Sequence, residues 1–253
     1  MRFASLGSGS RGNATLVESG NTRVLIDCGF SVAETEKRLA RLSLSGAEID
    51  AILVTHEHSD HISGVARLSR RHRIPVWMTH GTEAVHRGGE LAAWHCFSCH
   101  AAFSIGDLLV EPFPVPHDAR EPAQFVFSDG QRRLGVLTDT GSITAHMVKA
   151  LEGLDALFLE CNHDPEMLAN GPYPPRLRQR VGGDYGHLSN EQAAELLAKI
   201  DCSRLQHLVA GHLSEKNNQP QLARRALAAA LGCGEDDIEV ADQPDGTDWK
   251  SLG

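Results

Sequence analysis

The segment Thr55-His56-Glu57-His58-Ser59-Asp60-His61 gathers four potential metal ligands, His56, His58, Asp60 and His61, within six residues. It follows the apolar run 51–54 and precedes a pattern of helical period. Side chains of an extended chain repeat every second residue, so His56 and His58 face the same way and can share one ion. The turn into the helix then swings Asp60 and His61 toward a second ion. Mixed imidazole and carboxylate donors suit zinc, manganese or iron. Two divalent ions per chain would polarise a scissile group and activate water, and the chemistry to expect is hydrolysis.

Such a segment needs strand ends to present it. Short apolar runs of strand type recur at 1–6, 15–18, 23–27, 51–55, 108–115, 124–127, 134–138, 156–160 and 205–210, punctuated by Gly, Asn, Asp and Pro. Helical patterns lie at 32–42, 61–71, 144–151, 190–200 and 221–231. The pattern alone establishes mixed α and β. The order, strands first in hairpins and then alternating with helices, points to an α/β chain of two sheets packed face to face with helices outside, an αββα sandwich. No repeat or linker divides the chain, which predicts one domain over 1–253.

With 253 residues, 41% of them hydrophobic and 23% charged, the chain is long enough to bury a sizeable core. The opening MRFASLGSGSRGNATL lacks the apolar stretch of a signal peptide, and no run approaches a membrane span. A soluble cytoplasmic protein without a membrane partner is expected. The six cysteines are scattered, which argues against a disulfide framework and for a reducing compartment. A formal charge of −9 argues against wholesale electrostatic capture of nucleic acid. It does not exclude a phosphate substrate, because bound metal ions would offset the acids of the active face.

The 55–61 segment resembles the His-x-His-x-Asp-His signature of the metallo-β-lactamase superfamily. The resemblance implies further ligands at later strand ends. His117 in Pro114-Val115-Pro116-His117 resembles the third histidine of the first metal. Asp139 in Thr138-Asp139-Thr140-Gly141 resembles the bridging carboxylate, and His212 in Ala210-Gly211-His212-Leu213-Ser214 the last histidine of the second metal. The implied set is His56, His58 and His117 on one ion, Asp60, His61 and His212 on the other, with Asp139 bridging. Asp27, closing Val24-Leu25-Ile26-Asp27, resembles an early aspartate that orients ligands rather than binding metal.

The superfamily acts on lactams, thioesters, lactones and phosphodiesters, so substrate needs separate argument. True β-lactamases of this type commonly carry a cysteine where Asp139 stands. Too few residues follow His212 for the helical domain of glyoxalase-type thioesterases. Too few separate Asp139 from His212 for a large nuclease cap, or His117 from Asp139 for the arm of transfer-RNA processing enzymes. Glu160 ends the run 156–160, and His187 lies in Gly186-His187-Leu188-Ser189-Asn190 before a helix; together they resemble the Glu and His pair of phosphodiesterases related to those processing enzymes. An imidazole oriented by a carboxylate can give an alkoxide leaving group its proton at neutral pH.

Nearly the whole chain is similar to the YycJ (WalJ) group of small proteins of this superfamily, regarded as 5′-to-3′ DNA exonucleases. The similarity rests on Leu6-Gly7-Ser8-Gly9-Ser10-Arg11-Gly12-Asn13, on Glu160-Cys161-Asn162-His163-Asp164 running through to Asn190, and on Gly211-His212-Leu213-Ser214-Glu215-Lys216-Asn217-Asn218. Arg11 and His163 depart from the group's pattern. The implied reaction is attack on phosphorus by a metal-bridging hydroxide, with Asp60 ordering the nucleophile and His187, backed by Glu160, protonating the departing oxygen. The partner would be nucleic acid, DNA in particular. Ser8, Ser10 and Asn13, then Lys216, Asn217 and Asn218, are the candidate phosphate contacts. Arg176, Arg178 and Arg180 alternate between Glu160 and His187, where they could grip a backbone. Cys96, Cys99 and His100 lack a matching second pair and read as packing or loop residues. The alternatives are a hydrolase of a small cyclic phosphodiester or thioester, and a metal-dependent binding module without turnover; intact Asp60 and Asp139 argue against the latter.

Overall fold

Neighbouring side chains on a strand part to opposite faces, and in this chain the two faces have different partners. The computed structural model describes residues 1–253. Its first sheet contains β1 (Arg2–Gly7), β2 (Ala14–Ser19), β3 (Thr22–Ile26), β4 (Ala51–Leu53), β5 (Val76–Met78) and β6 (Trp94–Cys96). The second contains β7 (Phe103–Ile105), β8 (Leu108–Pro114), β9 (Ala123–Ser128), β10 (Arg133–Leu137), β11 (Ala156–Glu160), β12 (His207–Gly211) and β13 (Glu239–Val240), while β14 (Lys250–Ser251) returns to pair with β1. Each sheet thus has seven strands, in the orders β14-β1-β2-β3-β4-β5-β6 and β13-β12-β11-β10-β9-β8-β7.

Val24 and Ile26 of β3 join Phe125 and Phe127 of β9 and Phe158 of β11 in one buried cluster between the sheets. The intervening Leu25 belongs to the outer cluster of the first sheet, and Val126, Leu157 and Leu159 to that of the second. Nine helices complete the chain: α1 (Val32–Arg41), α2 (Ser59–Ile62), α3 (Val65–His72), α4 (His80–Val85), α5 (Ala145–Ala150), α6 (Pro165–Asn170), α7 (Pro175–Val181), α8 (Asn190–Lys199) and α9 (Pro220–Leu231). Leu39 of α1 and Leu68 of α3 cover the first sheet, and Met147, Leu196 and Leu227 from α5, α8 and α9 cover the second. This is the four-layer α/β sandwich that the sequence implies. No helix is long and apolar enough to cross a membrane.

The strands β3 to β6 run parallel, as do β10 to β13. Loops leaving the carboxyl ends of parallel strands are where ligands collect in such sheets, and five of these ends, on β3, β4, β10, β11 and β12, carry or precede candidate site residues. The helix expected over 61–71 is instead two, α2 and α3, broken at Gly64. A Cβ there would lie 2.0 Å from the Phe30 carbonyl oxygen, and the Gly64 N–H donates to the Cys28 carbonyl at 2.8 Å. The helix breaks so that the two backbones can touch. The stretch of alternating arginines is helical, with Pro175 at its start, and the three-residue strands β5, β6 and β7 are too short for periodicity to disclose.

Candidate metal centre

Strand β4 ends at Leu53, and its continuation carries His56 and His58 into the opening between the sheets. His56, fully buried, directs Nε2 inward while Nδ1 lies 2.9 Å from the Thr55 hydroxyl. His58 faces the cluster through Nδ1, 3.2 Å from Nε2 of His117, and its Nε2 lies 3.2 Å from the Asp118 carbonyl. His117 is held from behind by the Gly186 carbonyl at 2.9 Å from Nδ1. The ligand atoms of His56, His58 and His117 lie within 4.8 Å of one another, and so do those of Asp60, His61 and His212.

Asp27 fixes the second trio. One carboxylate oxygen accepts from the Thr55 N–H at 2.8 Å; the other accepts from the Thr55 hydroxyl at 2.8 Å and lies 2.7 Å from Nδ1 of His61. That contact sets the tautomer in which Nε2 of His61 is free to bind. This Nε2 points toward Asp60 at 3.4 Å and Asp139 at 3.2 Å. Asp27 and His212 both have left-handed backbones, with φ of 60° and 56°. Non-glycine residues adopt this region uncommonly, and it tends to persist where surrounding structure imposes it.

Register sets the rest. Glu160 of β11 pairs with Gly211 of β12, so His212 emerges beside the Glu160 carboxylate. Oε1 of Glu160 lies 2.8 Å from Nδ1 of His187 and 3.0 Å from Nδ1 of His212, while Oε2 accepts from the backbone N–H groups of Thr140 and Leu188. Asp139 stands between the groups, 3.3 Å from His212, 3.4 Å from His187 and 3.9 Å from His117. The His187 loop closes only because glycines permit it: a Cβ on Gly186 would lie 2.2 Å from the carbonyl oxygens of Arg180 and Val181.

Electrostatics follow from burying so many ionisable groups together. Burial pushes the His56 imidazole well below its ordinary value, and the neighbouring histidines add to this. Burial also opposes charge on His61, yet Asp139, Asp27 and Asp60 outweigh it and hold that ring well above ordinary histidine. His212 is likewise raised against burial, to about 10, by Asp139, Asp60 and Glu160. Burial would raise the Glu160 carboxyl, but His187 and His212 bring it down to about 2. Asp60, opposed by burial, is held far below the usual carboxylate range by His61 and His212.

Two atoms show that the donor set fits metal. Nε2 of His56 is buried without a hydrogen-bond partner, and Oδ2 of Asp139, despite its nearness to His61, makes no hydrogen bond of acceptable geometry. Buried polar atoms are seldom left so. Both point into the cluster, where divalent ions would satisfy them.

The candidate phosphate contacts are placed differently. Ser10 alone among the six lines the pocket over the cluster. The Ser8 hydroxyl donates to Asn13 and accepts from the His212 N–H at 2.8 Å, and the Asn13 amide is bonded to Gly9, its Nδ2 lying also 3.3 Å from Oδ2 of Asp60 and 3.2 Å from Nε2 of His61. Asn217 and Asn218 are buried, bonded to Ser214 and to Asn190 and the Cys161 carbonyl. Lys216 is exposed beside Tyr173. Cys96 and Cys99 join no cluster of three potential ligands. Thr55 and Asp118 escaped the sequence reading. Their roles depend on contacts with His56, His58 and His61, and the neighbouring ligand motif was the only hint of them.

A family profile described as "Beta-lactamase superfamily domain" matches residues 22–212. The chain is 37% identical to Exodeoxyribonuclease YycJ of Bacillus anthracis over 91% of its own length and 89% of that protein. It is 35% identical to Exodeoxyribonuclease WalJ of Streptococcus pneumoniae over 93% and 91% respectively. Among solved structures, the metallo-β-lactamase fold protein YhfI from Bacillus subtilis superposes with a TM-score of 0.77, at 15% identity, over 98% of each chain. That last likeness establishes the fold.

Proposed function

Because the chain belongs to the metallo-β-lactamase superfamily of hydrolases, we propose that it is a di-metal phosphodiesterase acting on nucleic acid, a 5′-to-3′ DNA exonuclease. The observation that carries this reading is the contact between Glu160 and His187 at 2.8 Å, set against the ligand clusters. A thioester releases a thiolate that departs readily without a placed acid, whereas a sugar oxygen leaving a phosphodiester needs a proton. The similarity to two proteins named exodeoxyribonuclease, over nine-tenths of the chain, supports DNA as the polymer.

His56, His58 and His117 would hold one ion and Asp60, His61 and His212 the other, with Asp139 reaching both. Bound ions supply Lewis acidity, which lowers the pKa of water and polarises the phosphoryl group. The protein does the rest. Asp60 accepts a hydrogen bond from the attacking water and aligns it, His187 delivers its Nε2 proton to the departing oxygen, and Glu160 holds the imidazole in place.

The test is metal-stripped protein reloaded with Mn²⁺ or Zn²⁺, given end-labelled, 5′-phosphorylated single- and double-stranded DNA and RNA. Stepwise release of mononucleotides from the 5′ end, abolished in Asp60→Ala, is expected. No cleavage of any polymer, with brisk hydrolysis of a small cyclic phosphodiester or thioester, would replace this reading by that of a small-molecule hydrolase.

A further inference from the structure

The pocket over the ligand cluster has a volume of about 280 Å³, and one wall of it comes from the segment between Glu160 and His187. That wall contributes Tyr173, Arg180 and Val181. Arg180 is the sole arginine or lysine lining the pocket, and Tyr173 its sole aromatic ring apart from histidine. Neither is needed to build the ligand cluster, and neither supports the core.

The arginines of α7 have separate fates. Arg178 donates back to the Ala169 carbonyl, and Arg176 is exposed near the helix start. Arg180 donates Nε to Asp118 at 2.5 Å, which leaves its two terminal nitrogens without a protein partner. Asp118 also lies 3.6 Å from both His58 and His117, so the tether anchors the guanidinium to the ligand cluster. The next residue, Val181, accepts the His187 backbone N–H at 2.9 Å, which fixes this end of α7 to the loop bearing that imidazole. A guanidinium with Nε fixed and two parallel donors free matches the oxygens of a phosphate. The ring of Tyr173 stands nearby with the ammonium of Lys216 5.9 Å from its centroid, which extends positive charge outward along a backbone path.

We propose that Arg180 and Tyr173 form the subsite for the nucleotide being removed, with Arg180 gripping its phosphate and Tyr173 stacking on its base. The proposal rests on the nucleic-acid reading above and adds a substrate class: a single-stranded end. In a duplex the face of a base is hidden in the stack, so only an unpaired nucleotide can offer it to the ring.

Equilibrium binding tests it, read by fluorescence anisotropy on the full chain with Ca²⁺, using a 3′-labelled, 5′-phosphorylated single-stranded oligothymidylate and a blunt duplex. Arg180→Ala and Tyr173→Ala should each weaken single-strand binding at least about tenfold. Tyr173→Phe should bind normally, Arg180→Lys should fall between, and duplex binding should be indifferent to Tyr173. Circular dichroism confirms folding, and the conservative variants decide the matter if an alanine variant is unstable. Single-strand binding by either alanine variant that equals the unaltered chain overturns the subsite, as does an unaltered chain that binds no oligonucleotide. The cleavage assay separates the two readings. Binding that depends on both residues without cleavage by any metal-loaded form retains the subsite and rejects the exonuclease, whereas cleavage with indifferent variants does the reverse.

Discussion

Oε1 of Glu160 lies 2.8 Å from Nδ1 of His187, which leaves Nε2 of that imidazole as the atom turned to the pocket. A carboxylate behind one nitrogen and an open pocket before the other is the arrangement of a histidine that gives up a proton and is recharged from solvent.

The leaving group decides whether that proton matters. His187→Ala should slow DNA cleavage by about 10²- to 10⁴-fold, the usual contribution of a placed acid. Bis(p-nitrophenyl) phosphate releases an anion stable without a proton, so its hydrolysis should fall far less. Asp60→Ala should abolish both. Comparing turnover on the two substrates is the measurement, and an equal loss on both would show that His187 is not the acid.

Asp27 and His61 give a second prediction, about metal rather than turnover. In Asp27→Asn the left-handed backbone is tolerated, and the amide oxygen can still accept from the Thr55 N–H. The amide nitrogen, however, would point its hydrogens at Nδ1 of His61 and force the tautomer that protonates Nε2. The ion held by Asp60, His61 and His212 should bind about 10- to 100-fold more weakly, while that on His56, His58 and His117 is retained. Competitive chelator titration should then resolve one intact and one weakened site; two unchanged affinities would remove Asp27 from this role.

Proton release gives a third. In the metal-free protein His212, with its pKa raised to about 10, and His61, also raised, carry protons at pH 7.5 that ligation must displace. His56, held low, has none to lose. Loading both ions should therefore release about two protons, measurable with an indicator dye in weak buffer. The sign for stability follows: a raised histidine stabilises the metal-free fold fully below its unfolded value of about 6.5 and loses that contribution as pH rises through about 10. Metal-free protein should melt earlier as pH climbs across that window, and metal should raise the melting temperature by a growing margin.

The legible part of this site is the contiguous part. His56, His58, Asp60 and His61 declare themselves because one turn of chain delivers all four, and the order of the runs, strands first in hairpins and then alternating with helices, points to two sheets. His117, Asp139, Glu160, His187 and His212 are single residues at separate strand ends, and only resemblance to a known family gathers them. Side-chain direction in loops is the least legible. Ser8 and Asn13 belong to a Gly- and Ser-rich turn that reads as a phosphate cradle, yet their side chains face the protein, where they tie down Gly9 and His212 and bring the Asn13 amide against Asp60 and His61. The arginines of α7 differ in the same way, since a seven-residue helix is too short for periodicity to reveal which of them reaches the pocket.

Gly211 connects the fold to the site. A Cβ at this position would lie 2.2 Å from the Phe158 ring, in the core between the sheets, and the flat pairing of Gly211 with Glu160 is what sets His212 beside that carboxylate. Gly211→Ala must move either the ring or the strand. Moving the ring is overpacking and costs about 1–3 kcal/mol; moving the strand displaces His212 and Glu160 together. The two are separable by experiment. Urea unfolding of the metal-free variant reads the first, and metal stoichiometry with turnover on bis(p-nitrophenyl) phosphate reads the second. Both should fall, because the ring is fully buried in the core between the sheets and has little room to retreat. A variant as stable and as active as the unaltered chain would mean that this region of the core yields without disturbing the ligands it carries.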